Sequence, residues 1–184
     1  MAKNAIYEGR REVRTFVDLN NGANVLIAKT KQTKEGSYYT TMGALLLSAF
    51  TFEAYLNHIG VKKIKFWDEI ESIRVMDKYS VIYKEFDINI DFSRRPYQTL
   101  KGLFQFRNAI AHGKSQILKV TKKVDPNCDP YDCSPKTHWE EYCTIENAER
   151  VKEDISAIIA EIHEKAGLGK YPFIGGMTIA SMNV

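Results

Sequence analysis

The stretch Leu45-Leu46-Leu47-Ser48-Ala49-Phe50-Thr51-Phe52-Glu53-Ala54-Tyr55-Leu56-Asn57 decides how this chain folds. Leu45, Ala49, Phe52 and Leu56 recur at i, i+4, i+7 and i+11, one face of an α-helix, and Leu46 and Phe50 widen that face. Ser48, Thr51 and Tyr55 remain as a thin polar strip. A helix apolar over most of its circumference sits in the middle of a bundle, because every apolar sector needs a neighbour. The pattern predicts such a helix over 38–60, with Gly60 as its C-cap. Glu53 interrupts it. At ~100° per residue Glu53 projects about 80° from Leu45, beside Leu46. An unpaired carboxylate in that sector is costly, so a partner is expected, and Asn57 extends the polar spot by one turn.

On the N-terminal side, residues 5–34 read as mostly helical, with Val13, Phe16 and Val17 at helical spacing and Val25-Leu26-Ile27 beyond. Asn20-Asn21-Gly22 is an expected break or kink, and Glu35-Gly36-Ser37 a stop and restart. On the C-terminal side, Val75, Tyr79, Ile82, Tyr83 and Phe86 stripe a third helix over 66–86. Asp87 to Phe92 alternates as a short extended piece would. Ser93 as N-cap and Pro96 in the first turn open a fourth helix over 96–112, buried through Leu100, Leu103, Phe104, Ile110 and Ala111 and ended by Gly113. Residues 114–143, with Asp125-Pro126-Asn127, Asp129-Pro130-Tyr131 and Ser134-Pro135, read as an irregular surface insertion. The last helix, 144–166, is amphipathic through Ala148, Val151, Ile155, Ile158, Ile159 and Ile162, with Thr144 as N-cap and Gly167 as stop. Residues 167–184 read as a loop that packs on the body or on a partner. The expected fold is an all-α, up-and-down helical bundle of about four or five helices, with the irregular insertion before the last one. It forms a single domain over 1–184 with its core in 38–166.

Composition sets limits. A chain of 184 residues is one domain, or one domain with appendages, and 44% hydrophobic with 27% charged residues is ordinary for a soluble globular protein. A net charge of +3 permits a nucleic-acid partner without requiring one. No apolar run is long enough to span a membrane, so no membrane association is expected. Met1-Ala2-Lys3-Asn4 lacks the apolar core of a signal peptide. Three cysteines are an odd number, which argues against a closed disulfide framework and for a reduced, cytoplasmic protein.

The chemistry concentrates in Gln105-Phe106-Arg107-Asn108-Ala109-Ile110-Ala111-His112-Gly113-Lys114, the end of the fourth helix. Arg107 projects inside the apolar arc, and an arginine there needs a partner. Asn108 and His112 share an edge one turn apart. Arg107 and His112 lie about 140° apart on an ideal helix, so they meet only through the arginine's length, local unwinding near Gly113, or a second chain. In a purely structural reading, Arg107 pairs with Glu53 inside the bundle and His112 caps the helix through its dipole. In a chemical reading the same pairing fixes Arg107 as a phosphate clamp beside an acid/base histidine.

Arg107-Asn108-x-x-x-His112, followed by Gly113 and Lys114, resembles the Arg-x4-6-His motif of the HEPN superfamily (higher eukaryotes and prokaryotes nucleotide-binding). The setting is also similar over residues 38–166. Phe52-Glu53-Ala54-Tyr55-Leu56-Asn57 lies on an upstream helix, the motif sits late in a following helix, and an amphipathic helix closes the domain. The resemblance implies a dimeric helical bundle with two motifs near a shared cleft. It implies a metal-independent endoribonuclease of toxin–antitoxin or other defence systems, or else a member that has lost activity and binds a nucleotide or a protein. It implies Arg107 and His112 as the catalytic pair, Asn108 at the polar position and Glu53 as an orienting acid. An RNA substrate, a homodimer and an antitoxin or other regulatory protein are the implied partners, and no cofactor is implied. In one branch of the superfamily a modified tyrosine stands two residues after the histidine. Lys114 occupies that place here, so that modification does not carry over.

The residues support this chemistry in their own right. Cleavage of RNA through its own 2′-OH needs a base, an acid and a cation on the phosphate. Histidine serves as either proton carrier near neutral pH, and arginine stabilises charge developing on phosphoryl oxygens. One chain supplies one such histidine, so two chains could supply donor and acceptor. Among the looser basic residues (Lys62, Lys63, Lys65, Arg94, Arg95, Lys119, Lys122, Lys123), best read as a solvated face, Lys114 is singled out to touch a phosphate. Cys128, Cys133, His138 and Cys143 recur every five residues and are the ligand types of structural zinc. That spacing is not the usual Cys-x2-Cys knuckle, so ordinary thiols are the preferred reading and a zinc-stabilised loop on a small-molecule-binding protein the alternative. His58, His138 and His163 read as surface residues, and Trp67, Tyr38 and Tyr39 as packing residues.

Overall fold

A computed structural model describes residues 5–183, and Met1 to Asn4, read above for a signal peptide, lie outside them with Val184. The architecture is helical, as the apolar stripes require. In chain order the elements are β1 (Ile6–Arg11), α1 (Thr15–Gln32), α2 (Ser37–Lys63), α3 (Trp67–Ile70), α4 (Val75–Glu85), α5 (Gln98–Ala111), α6 (His138–Tyr142), α7 (Ile145–Lys165) and β2 (Thr178–Asn183). Among the described residues no helix is long and apolar enough to cross a membrane.

The 27-residue helix α2 is the axis, and α1, α3, α4, α5 and α7 all pack against it. Its core residues Leu45, Ala49, Phe52, Tyr55, Leu56 and Ile59 are inaccessible to solvent. The expected polar strip is buried too. Ser48 and Thr51 donate their hydroxyls to the carbonyls of Ala44 and Leu47 one turn back, so they enter the core without unpaired groups. The Tyr55 hydroxyl lies 3.1 Å from Nδ1 of His163 on α7. Phe50, read as part of the buried face, is instead exposed.

Glycine contacts explain two departures from the expected elements. Asn20-Asn21-Gly22 does not break α1, which runs unbroken from Thr15 to Gln32. A Cβ on Gly22 would come within 2.9 Å of Leu47 Cδ1, and one on Gly43 within 2.8 Å of Leu26 Cδ1. Each helix therefore presents a glycine to a leucine of the other, and α1 and α2 approach closely. Gly60 does not cap α2, which continues to Lys63. The indole of Trp67 lies directly on Gly60, in space that a Cβ would occupy.

The expected third helix divides into α3 and α4. The fourth starts at Gln98, because Ser93 bonds Asp91 in the preceding turn and does not cap the helix. At its other end Ile110 is only half buried and Ala111 is exposed, against the expected burial, while Phe106 is buried. The last helix matches its reading closely. The Thr144 hydroxyl accepts from the Asn147 N–H, and Gly167 at φ 71° ends α7 with Leu168 N–H bonded to the His163 carbonyl, a Schellman stop.

The insertion is largely irregular, but Thr137 and Glu140 form a capping box that starts the short helix α6. The two ends of the described chain are not loop and helix as expected. They pair as an antiparallel two-stranded ribbon, with Ile6 opposite Asn183 and Arg11 opposite Thr178.

Candidate functional site

Glu53, Arg74, Met76, Arg107, Asn108 and His112 line one cleft of about 610 Å³ between α2, the start of α4 and the end of α5. Each side chain arrives there for a local reason. Arg107 leaves α5 within its buried arc but is long enough to reach the rim, where its side chain is 25% exposed. Its Nη2 donates to Glu53 Oε2 at 3.5 Å and its Nη1 to Asn108 Oδ1 at 3.1 Å. The guanidinium carbon stands 5.7 Å from the centroid of the Phe50 ring, which accounts for a phenylalanine left exposed on α2. Arg107 Nε is buried without a hydrogen-bond partner in the protein.

Glu53 also faces a second cation. Its Oε1 lies 4.0 Å from Lys78 Nζ, which in turn donates to Asn57 Oδ1 at 2.9 Å. Lys78 is only 3% exposed, so its charge is held almost entirely by Glu53 and Asn57. Glu53 is thus set between two cations and orients both. The polar spot at Glu53 and Asn57 finds its partners on α4 and α5. Lys78 was legible by the same signal as Arg107, since it stands three residues after Val75 inside the α4 stripe.

His112 is the C-cap of α5 and is exposed. Its backbone N–H donates to the Asn108 carbonyl at 3.0 Å. Asn108 therefore serves the two motif residues through different groups. Its side chain orients Arg107, and only its carbonyl holds the backbone of His112. Within one chain, Arg107 and His112 line the same cleft despite their wide angular separation. Arg74, which sequence reasoning did not single out, reaches it from the N-cap of α4 and pairs with Asp77 at 2.8 Å.

Lys114 is not brought to this cleft. It lines a separate groove with Met42, Ile110, Leu118 and Trp139, since the chain turns away after Gly113. Arg95 is committed elsewhere as well. It clamps the buried Asp154 through Nε and Nη2, with Thr99 donating to the same carboxylate. The four residues considered for zinc do not converge. Cys128 and Cys133 are disulfide-bonded to each other, contrary to the expectation of free thiols, and Cys143 is a buried free thiol under Tyr38. Among the described residues no group of three or more His, Cys, Asp or Glu is placed to hold a metal ion. His163 is buried rather than on the surface, and His58 is half buried against Phe16. Burial, with Lys62 and Arg14 nearby, pushes His58 down to about 4. His163 is lowered by burial and by Arg14 and Lys62.

No family model matches the chain, and no curated protein or solved structure matches it either.

Proposed function

We propose that this protein is an endoribonuclease of the HEPN type, serving a toxin–antitoxin or other defence system, that cleaves RNA by attack of the substrate's own 2′-OH and calls on no metal. The observation that carries the reading is the cleft lined jointly by Arg107, Asn108, His112 and Glu53. A base removes the 2′-hydroxyl proton, the 2′-oxygen bonds to phosphorus, and the bond to the 5′-oxygen breaks as an acid protonates it. The products are a 2′,3′-cyclic phosphate and a 5′-hydroxyl. His112 is one proton carrier, and its exposure at the end of α5 leaves it open to substrate. Arg107 neutralises the phosphoryl oxygens, and Glu53 and Asn108 hold its guanidinium before substrate arrives, which spares reorganisation during the reaction. The second proton carrier comes from His112 of another copy in a homodimer. A cytoplasmic location and an antitoxin or other regulatory protein go with this role.

A second reading, a non-catalytic nucleotide- or protein-binding module, is favoured by one feature. Arg107 is committed at both ends of its guanidinium, to Glu53 and to Asn108, as a purely structural ion pair would be. RNA degradation without added metal separates the two. Arg107→Ala and His112→Ala should each slow cleavage by about 10²- to 10⁴-fold. Cleavage that survives both substitutions would remove these residues from the active site. A folded wild-type protein that cleaves no RNA would leave the module reading in its place.

A further inference from the structure

We propose that the outer edge of β1 docks against β1 of a second copy of this chain, antiparallel, across a two-fold axis at Gly9. This does not rest on the ribonuclease reading.

β1 and residues 178–182 of β2 are exposed, and the ribbon packs on itself far more than on any helix. It is tied to the body by the Glu12 N–H to the Met177 carbonyl and by Arg14 to the Ile174 carbonyl. Ile6, Tyr7, Ile179 and Met182 are each more than 60% exposed on it. A two-stranded sheet is marginal in water, and a free edge presents unpaired N–H and C=O groups. Among the described residues no other backbone group bonds the outer edge of β1.

Charge and the length of pairing together select the occupant and the register, since an axis at Tyr7 opposes no like charges but pairs only Ile6 to Glu8 of β1. β2, Thr178–Asn183, carries no charged side chain and so specifies no register at its own outer edge. β1 reads Ile6-Tyr7-Glu8-Gly9-Arg10-Arg11. A two-fold axis perpendicular to the ribbon keeps each face on its own side, so only residues of equal parity meet. An axis at Glu8 sets two glutamates opposite each other, an axis at Arg10 two arginines, and an axis at Arg11 again two arginines. An axis at Gly9 sets Glu8 opposite Arg10 twice and Tyr7 opposite Arg11 twice. Opposite charges directly across a ladder stabilise it and like charges oppose it. The axis position itself holds a glycine, which has no side chain to collide with its copy. A Cβ there would lie 2.5 Å from Tyr7 Oη, so the Tyr7 ring already covers the glycine.

The test uses sedimentation velocity on the full chain with E8R and R10E. Both positions are exposed, so neither substitution disturbs the helical core. Wild type should self-associate. Each variant alone creates two like-charge pairs and should weaken self-association on the order of tenfold or more. An equimolar mixture should recover it, because the two arginines of the E8R chain then face the two glutamates of the R10E chain. Since the two reversals sit on different chains, recovery reports pairing between chains only. Wild type that stays monomeric overturns the proposal. So do variants that dimerise like wild type, as a dimer formed through the cleft would, or a mixture that fails to recover.

Discussion

Replacing Glu53 with glutamine tests whether one carboxylate organises the cleft. Glu53 stands 3.5 Å from Arg107 and 4.0 Å from Lys78. At an effective dielectric of about 20, each pair is worth at most about 4–5 kcal/mol of Coulomb energy. Both Glu53 and Arg107 are about a quarter exposed, so screening and side-chain ordering reduce their pair to roughly 1 kcal/mol. Lys78 is almost fully buried, and its charge without the acid keeps only Asn57, which adds about 1–2 kcal/mol to the cost. Glu53→Gln should therefore lower unfolding stability by about 2–3 kcal/mol, a fall in Tm of about 4–12 °C for a domain of this size. Chemical denaturation of Glu53→Gln, Lys78→Met and the double variant measures the coupling. The glutamine should cost less once the buried ammonium is gone, with a coupling of about 1 kcal/mol. Costs that add to within about 0.3 kcal/mol would refute the claim that Glu53 holds Lys78. The same cycle with Arg107→Gln examines the other arm.

Gly60→Ala should destabilise the protein although alanine is the better helix former by about 1 kcal/mol. Trp67 occupies the space of the new methyl, and overpacking costs about 1–3 kcal/mol or more, so thermal melting should show a net loss that Trp67→Leu partly reverses. Stability should also fall on acidification through the histidine at the α1–α2 contact. His58 is held near 4 in the folded protein against about 6.5 unfolded, so the unfolded chain binds the extra proton. Its contribution is complete above about pH 6.5 and is lost as pH drops towards about 4. His58→Gln should flatten the denaturation midpoint across that window, and an unchanged slope would show that His58 titrates normally in the fold.

The elements legible in the sequence are those whose determinants lie within a few turns of one another. The α7 stripe, its Thr144 cap and its Gly167 stop are local, and they appear as read. The apolar circumference of α2 made it the central helix, because a helix with that many apolar sectors has no other place to sit. The pairing of Glu53 with Arg107 was also accessible, since a charge inside an apolar stripe must be answered by another.

What tertiary structure alone decided depends on contacts between distant segments. Whether Gly22 and Gly60 are breaks or close-contact positions rests on Leu47 and Trp67 lying against them, which no local pattern contains. The pairing of Ile6–Arg11 with Thr178–Asn183 joins segments nearly the whole chain apart, so each strand lacked its ladder partner in any short window. The thin polar strip of α2 is buried, because each hydroxyl bonds its own helix or His163. His112 and Arg107 point different ways on an ideal helix. Only the packing of α2 and α4 around the end of α5 makes one cleft of them and sends Lys114 to another. Sequence specified which charges must be answered, and the packing of distant helices chose which groups answer them.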